Sequence, residues 1–244
     1  MNQQGIVDER RQARIDLSAA LRLAARFDLH EGIDNHFSIM LSDGSFLVNR
    51  WGVHWSLIRA SDILQVDGSG AVIDGRGEVE RTALVIHAAV HRTCPYARVV
   101  LHTHMPYATA IACSRQEIEP ISQNALRFVG RIFYDDAYSG LANDDAEGVR
   151  IAKVVQSQPI VFMRHHGVLV TAQTVGLAFD DLYFLERTAR VQLLAKSSGA
   201  DVMRIPQDIA KIGADQLTLI DRDRETHFAA LKEILDVQEP EYAR

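Results

Sequence analysis

The sequence predicts an α/β domain. Two observations carry that expectation: stretches with apolar residues at helical spacing alternate with short apolar runs bounded by turn residues, and 47% of the 244 residues are hydrophobic, enough for a sizeable core. A single domain over residues 1–244 is the simplest organisation, because no linker, internal repeat or low-complexity tract divides the chain. Residues 1–9 read as flexible, residues from about 10 to 200 as the core, and 201–244 as a helical C-terminal segment.

From Arg10 to Leu29, RRQARIDLSAALRLAARFDL repeats apolar residues at helical spacing, and Gly32 marks the end of this opening helix. HFSIML and SFLVNR then read as two strands joined at Asp43-Gly44, and ILQVDGSGAVIDG as a second pair turned at Asp67-Gly68. A helix starts near Arg81 or Thr82 and is closed by Pro95, which leads into the buried strand ARVVLHTH. YATAIACS is helix-like and RIFYDD strand-like, and DDAEGVRIAKVVQS is a helix whose acidic first turn suits the positive end of its dipole. PIVFMRHHGVLVTAQT predicts strand, tight turn and strand. A long helix from about Val175 to Lys196 follows, HFAALKEIL is a last short helix, and the Arg222–Glu225 charge run is a solvated helix start.

Charge and composition narrow the function. A net charge of −6 and a pI near 5.9 provide no general attraction to nucleic acid or an anionic membrane, so a small-molecule partner is expected. No run of eighteen apolar residues appears and the start MNQQGIVDERRQ is polar, which predicts a cytoplasmic protein. Cys94 and Cys113 are too few for a disulfide framework and are read as reduced.

The chemistry concentrates in histidines. His102 and His104 stand one residue apart at the end of an apolar run, so on a strand both imidazoles project from one face, as two ligands of a metal ion do. A third candidate lies in MRHHGVLV, where Gly167 permits a sharp turn and His165 or His166 can point back toward a neighbouring strand. Three neutral imidazoles suit a first-row divalent ion with one position left open. His87 and His91 share one helix face, and His87, in LVIHAAV, reads as a core histidine that supports the site.

NHFSIML, FLVNRWG, ASDILQVDGSG, VIHAAVHRTCPYARVVLHTHMPYATA, YSGLANDDAEG and RHHGVLV, in that order, resemble the class II aldolase and adducin family over most of residues 10–200. The resemblance implies a three-layer α/β/α fold around a central mixed, largely antiparallel sheet, a homotetramer, and a zinc or similar ion (manganese, iron or cobalt) on His102, His104 and His166. It also implies metal-assisted formation of an enolate. His165 replaces the asparagine usual in the family.

The departures from the family pattern steer the choice of reaction. Ala83 stands where the sugar-phosphate aldolases carry their acid/base glutamate, with Glu80 one turn earlier as the substitute carboxylate. Trp51-Gly52 and Arg81-Thr82 replace the serines of the phosphate site, so a phosphorylated sugar is disfavoured and Arg81 is read as a partner for a substrate carboxylate. Asn35, His36 and His54 are expected to line the pocket, with Trp51 and Trp55 walling it in. Tyr107 is the expected proton donor, with Tyr134 and Tyr138 as further candidates. The leading reading is a metal-dependent decarboxylase or retro-aldolase acting on a small carboxylated substrate. The alternative is an adducin-like binding or oligomerisation domain without catalysis.

Overall fold

Alternation along each strand and helical spacing between strands give the chain two kinds of buried face. In the computed structural model, which describes residues 3–218 and 221–244, these assemble as helices on both sides of one sheet. Helices α1 (Gln3–Arg26), α2 (Arg81–Thr93), α3 (Pro106–Ala112), α4 (Asp145–Val155), α5 (Val175–Ser197), α6 (Gln207–Thr218) and α7 (Asp221–Gln238) join strands β1 (His36–Met40), β2 (Phe46–Asn49), β3 (Ile63–Val66), β4 (Val72–Asp74), β5 (Val99–Thr103), β6 (Ile132–Asp135), β7 (Ile160–Met163) and β8 (Gly167–Ala172). The strand order is β4-β3-β2-β1-β5-β8-β7-β6, and only β6 and β7 run parallel. The three-layer, largely antiparallel sheet that the resemblance implied is therefore present. Among the described residues, no helix is long and apolar enough to cross a membrane.

Period-two alternation sends Phe37, Ile39, Val99, Leu101, Val168 and Val170 into the larger core under α1, α3, α5 and α7. The opposite faces of β5, β7 and β8 send Val100, Val161 and Leu169 toward α2 and α4. Those two helices approach closely at Gly148, where an added Cβ would lie 2.5 Å from the Val85 carbonyl oxygen. Thr174 and Asp144 cap α5 and α4 by accepting from the Leu177 and Glu147 amides.

Three expectations need correction. Helix α1 begins at Gln3, ahead of the Arg10 start read from the sequence, and Glu9 ties it to Arg98 at 2.7 Å. The last helix starts at Asp221, ahead of the HFAALKEIL stretch, and is preceded by α6 within the segment read as helical. The Arg222–Glu225 run is not simply solvated, because Arg224 reaches the buried Asp180 and Asp181 of α5 at 3.2 and 2.6 Å. Asp181 also takes a two-pronged contact from Arg131, and Asp180 accepts from Arg127 and His227. Arg224 thus meets carboxylates more than forty residues away, a pairing that no local pattern encodes.

One further buried carboxylate shapes the segment after the histidine pair. Glu186 accepts hydrogen bonds from the Tyr107 and Ala108 amides, both at 2.8 Å, at the start of α3. Burial raises its carboxyl to about 6, against the lowering effect of those two amides.

Two outcomes are expected. Asp181→Asn removes the buried charge that Arg131 and Arg224 share and should lower unfolding free energy by about 3 kcal/mol, measured by denaturant titration. For Glu186 the folded chain holds its proton more tightly than the unfolded chain does, so its contribution is full below about pH 4.5 and is lost as pH rises through about 6. Glu186→Gln should therefore gain about 2 kcal/mol relative to wild type between pH 4 and pH 7. A stability difference that stays flat over that range would contradict the assignment.

Candidate metal centre

Antiparallel pairing of β1 with β5 sets His36 directly opposite His102, both on the face toward α2. His104 lies just past the end of β5, and its backbone amide donates to Asn35 Oδ1 at 3.2 Å. The β7–β8 turn brings His166 to the same place, with its ring 4.8 Å from that of His102 and 4.9 Å from that of His104. One ligand nitrogen from each of the three lies within 4.8 Å of the others. The turn works differently from expectation. The left-handed residue is His165, at φ 59°, and Gly167 serves close approach, since a Cβ there would lie 2.5 Å from the Thr103 oxygen and 2.7 Å from His104 Cδ2.

The hydrogen bonds fix which nitrogens are free. His102 Nδ1 donates to the Val168 carbonyl at 2.9 Å and His104 Nδ1 to the Glu31 carboxylate at 3.0 Å. Each ring therefore keeps a lone pair on Nε2, and these two nitrogens face each other 3.2 Å apart. Two lone pairs at that distance repel unless a cation lies between them, so the donor set fits a divalent metal ion. Burial favours the neutral form of His166 and His102, as metal ligation needs: His166 is lowered to about 4, chiefly by burial and then by His104, and His102 well below its ordinary value by burial and then by His166.

A cavity of about 250 Å³ opens over these rings, lined among others by Asn35, His36, Glu80, Thr82 and Tyr138. Asn35 adopts φ 75° and is 6% exposed, and its Nδ2 has no hydrogen-bond partner within the protein. An unpartnered buried donor facing a cavity is positioned for a ligand oxygen. Glu80 caps α2 through the Thr82 and Ala83 amides and accepts from the Thr82 hydroxyl, while its carboxylate stands 3.7 Å from His36 Nε2. Glu80 thus both caps α2 and lines the cavity.

Other sequence-based candidates fall elsewhere. Tyr107 packs with its ring beneath the Arg190 guanidinium, 5.4 Å away, outside the residues that line the cavity, and the tyrosine at the cavity is Tyr138. Tyr134 is committed to accepting from the Ile118 amide. Arg81 and Trp51 are exposed and Gly52 forms a left-handed turn beside Trp51, and none of the three lines the cavity. His54 pairs with His30 and Ser56, and Trp55 is buried against Phe37. Apart from Tyr138, none of these residues is among those that line the cavity in this chain. The residues that sequence reasoning missed are Glu31 and Asp34, for which no local pattern exists, and Gly140–Asn143, which the quoted YSGLANDDAEG stretch already contained.

Comparison with known proteins adds the following. Residues 15–193 match the family described as Class II Aldolase and Adducin N-terminal domain. An aldolase II superfamily protein from Pseudomonas syringae superposes with a TM-score of 0.90 at 29% identity, covering 96% of each chain. An adducin-related protein of Schizosaccharomyces pombe is 29% identical over 237 residues, 92% of this chain and 71% of its own. Decarboxylase NovR of Streptomyces niveus is 30% identical over 164 residues, 67% of this chain and 60% of its own.

Gly167→Ala should push His104 away from its partners. The expected result is a stability loss of about 1–3 kcal/mol together with weaker zinc binding by calorimetry. Unchanged zinc affinity would mean that the close approach at Gly167 does not hold the histidine cluster.

Proposed function

This chain belongs to the class II aldolase and adducin family, and we propose that it is a divalent-metal-dependent carbon–carbon lyase, a decarboxylase or retro-aldolase of a small, non-phosphorylated carboxylated substrate. The observation that carries this reading is the facing pair of Nε2 lone pairs on His102 and His104, with His166 beside them, beneath a small polar cavity. His102, His104 and His166 would hold the ion, with zinc the leading candidate and manganese, iron or cobalt the alternatives. When bound, it supplies Lewis-acid stabilisation of the negative charge left when a bond next to a carbonyl breaks.

The chain's own residues supply the rest. Asn35 offers an unpartnered N–H to a substrate oxygen, and its orientation is set because its Oδ1 already accepts from the His104 amide. Glu80 lines the cavity and orders Thr82 beside His36 by accepting from its hydroxyl. Tyr138, which lines the cavity, is the proton donor in this reading. Ala83 is buried in the first turn of α2 and puts no carboxylate where the aldolases have one. Similarity to a decarboxylase supports loss of carbon dioxide over cleavage of a sugar phosphate. A homotetramer is part of this reading, and the exposed Val191 and Leu194 on α5 support self-association.

Elemental analysis of untagged protein, never exposed to a metal column, tests the proposal beside the His102→Ala/His104→Ala/His166→Ala variant. The expected result is near one zinc, manganese, iron or cobalt per chain, absent from the variant, with carbon dioxide or aldehyde released from members of a carboxylated substrate panel. Wild-type protein that carries no metal and takes none up would remove the lyase reading in favour of a binding domain.

A further inference from the structure

Beneath the cavity, a line of buried polar groups runs along the interface between α2 and β1. His36 Nδ1 contacts His87 Nε2 at 2.6 Å, His87 Nδ1 contacts Ser38 Oγ, Ser38 Oγ contacts His91 Nε2 at 2.7 Å, and His91 Nδ1 contacts the Ala97 carbonyl oxygen at 3.2 Å. At the other end, His36 Nε2 faces Thr82 Oγ1 at 3.4 Å and Glu80 Oε2 at 3.7 Å. Residue exposures are 2% for His36, 0% for Ser38 and His87, and 7% for His91, so the line is shielded from bulk water.

Counting protons along it gives a definite answer. Three neutral imidazoles and one hydroxyl carry four protons, whereas the line has five links and ends on acceptors at both sides. One link must lack a proton. The inner contacts are short, and the Ala97 carbonyl lies within ordinary hydrogen-bond reach, while the contacts at the cavity end are longer than an ordinary N–H···O bond. The vacancy therefore falls at the cavity. Working inward from the carbonyl, which only accepts, His91 donates from Nδ1 and accepts at Nε2 from the Ser38 hydroxyl. Ser38 then accepts from His87 Nδ1, and His87 Nε2 accepts from His36 Nδ1. Reversing the direction would aim a His91 lone pair at the carbonyl oxygen and leave a good acceptor without a donor.

We propose that the Ala97 carbonyl, acting through the positioning residues His91, Ser38 and His87, fixes His36 as its Nδ1–H tautomer, so that Nε2 presents a lone pair to the cavity and selects a substrate hydroxyl there. This deepens the lyase reading and rests on it for the substrate, but the tautomer assignment stands on the hydrogen-bond line alone. Asn35 Nδ2 lines the same cavity as an unpartnered donor. The cavity thus pairs an acceptor for a hydroxyl with a donor for a carbonyl or carboxylate oxygen, the pattern of a hydroxy acid.

Neutron diffraction from deuterium-exchanged crystals of the intact protein locates these protons directly. Deuterium on Nδ1 of His36, His87 and His91, with none on their Nε2 atoms, is the expected result. Deuterium on His36 Nε2 would overturn the assignment. The functional half is read by calorimetry with two probes, lactate and propionate, which differ by one hydroxyl, on wild type and on Ser38→Ala, which breaks the line with little change in volume. Metal chelation by lactate is common to both proteins, so the change in the lactate-to-propionate affinity ratio isolates His36. The ratio should fall about three- to tenfold in Ser38→Ala. An unchanged ratio would overturn hydroxyl selection at His36. If neither acid binds while the neutron map is as expected, the carboxylated-substrate reading fails and the tautomer assignment stands.

Discussion

The register of β5 is the constraint on which the candidate centre depends. This central strand pairs antiparallel with β1 on one side and β8 on the other, so His36, His102 and Leu169 stand in one row across the sheet. A slip by one residue would turn every side chain of β5 to the opposite face, sending His102 into the apolar core under α1 and α5. The cost of burying an unpartnered imidazole forbids that slip: in the present register His102 Nδ1 reaches the Val168 carbonyl, whereas the opposite face of β5 carries Val99 and Leu101 into the apolar core. The same packing that stabilises the sheet therefore aims the imidazole.

Polar groups are concentrated on the face toward α2. His36 and Ser38 alternate on β1, and His87 and His91 stand one helical turn apart above them. Burying four such groups is tolerable only because each finds partners, and the line they form leaves its one unfilled position at the cavity. Aliphatic residues in these positions would pack at lower risk. Polar burial here exchanges plain packing for a fixed arrangement of donors and acceptors beside the histidine cluster.

The family contains both enzymes and adducin-related proteins, so membership alone does not assign activity. The decisive features are local. The three imidazoles are gathered with their lone pairs inward, Asn35 holds a left-handed backbone beside them, and its amide donor is left without a protein partner. Opposed lone pairs and an unpartnered buried donor at one spot are the observations that support the proposed lyase reading. The absence of a carboxylate at Ala83 alters the chemistry expected of the cavity while leaving the histidine cluster whole.

Local pattern made most of the fold legible. Short apolar runs between turn residues located the strands, helical spacing with Pro95 and an acidic first turn located α2, α4 and α5, and the spacing of His102 and His104 drew attention to these histidines, because these features depend on period and on nearest neighbours. Choosing His166 over His165 in the turn rested on family resemblance, and the backbone supplies the reason: His165 takes the left-handed position while Gly167 lets the turn press against β5. What local pattern had no means of revealing was direction and distant partnership. Tyr107 turns to Arg190 and Tyr138 to the cavity, Glu31 orients His104 from seventy-three residues away, and Arg224 finds Asp180 and Asp181 across the helix layer. Residue type and spacing determined which groups were available for chemistry. Only the packing of sheet against helices decided which of them meet, because a side chain's direction is set by every surface it packs against.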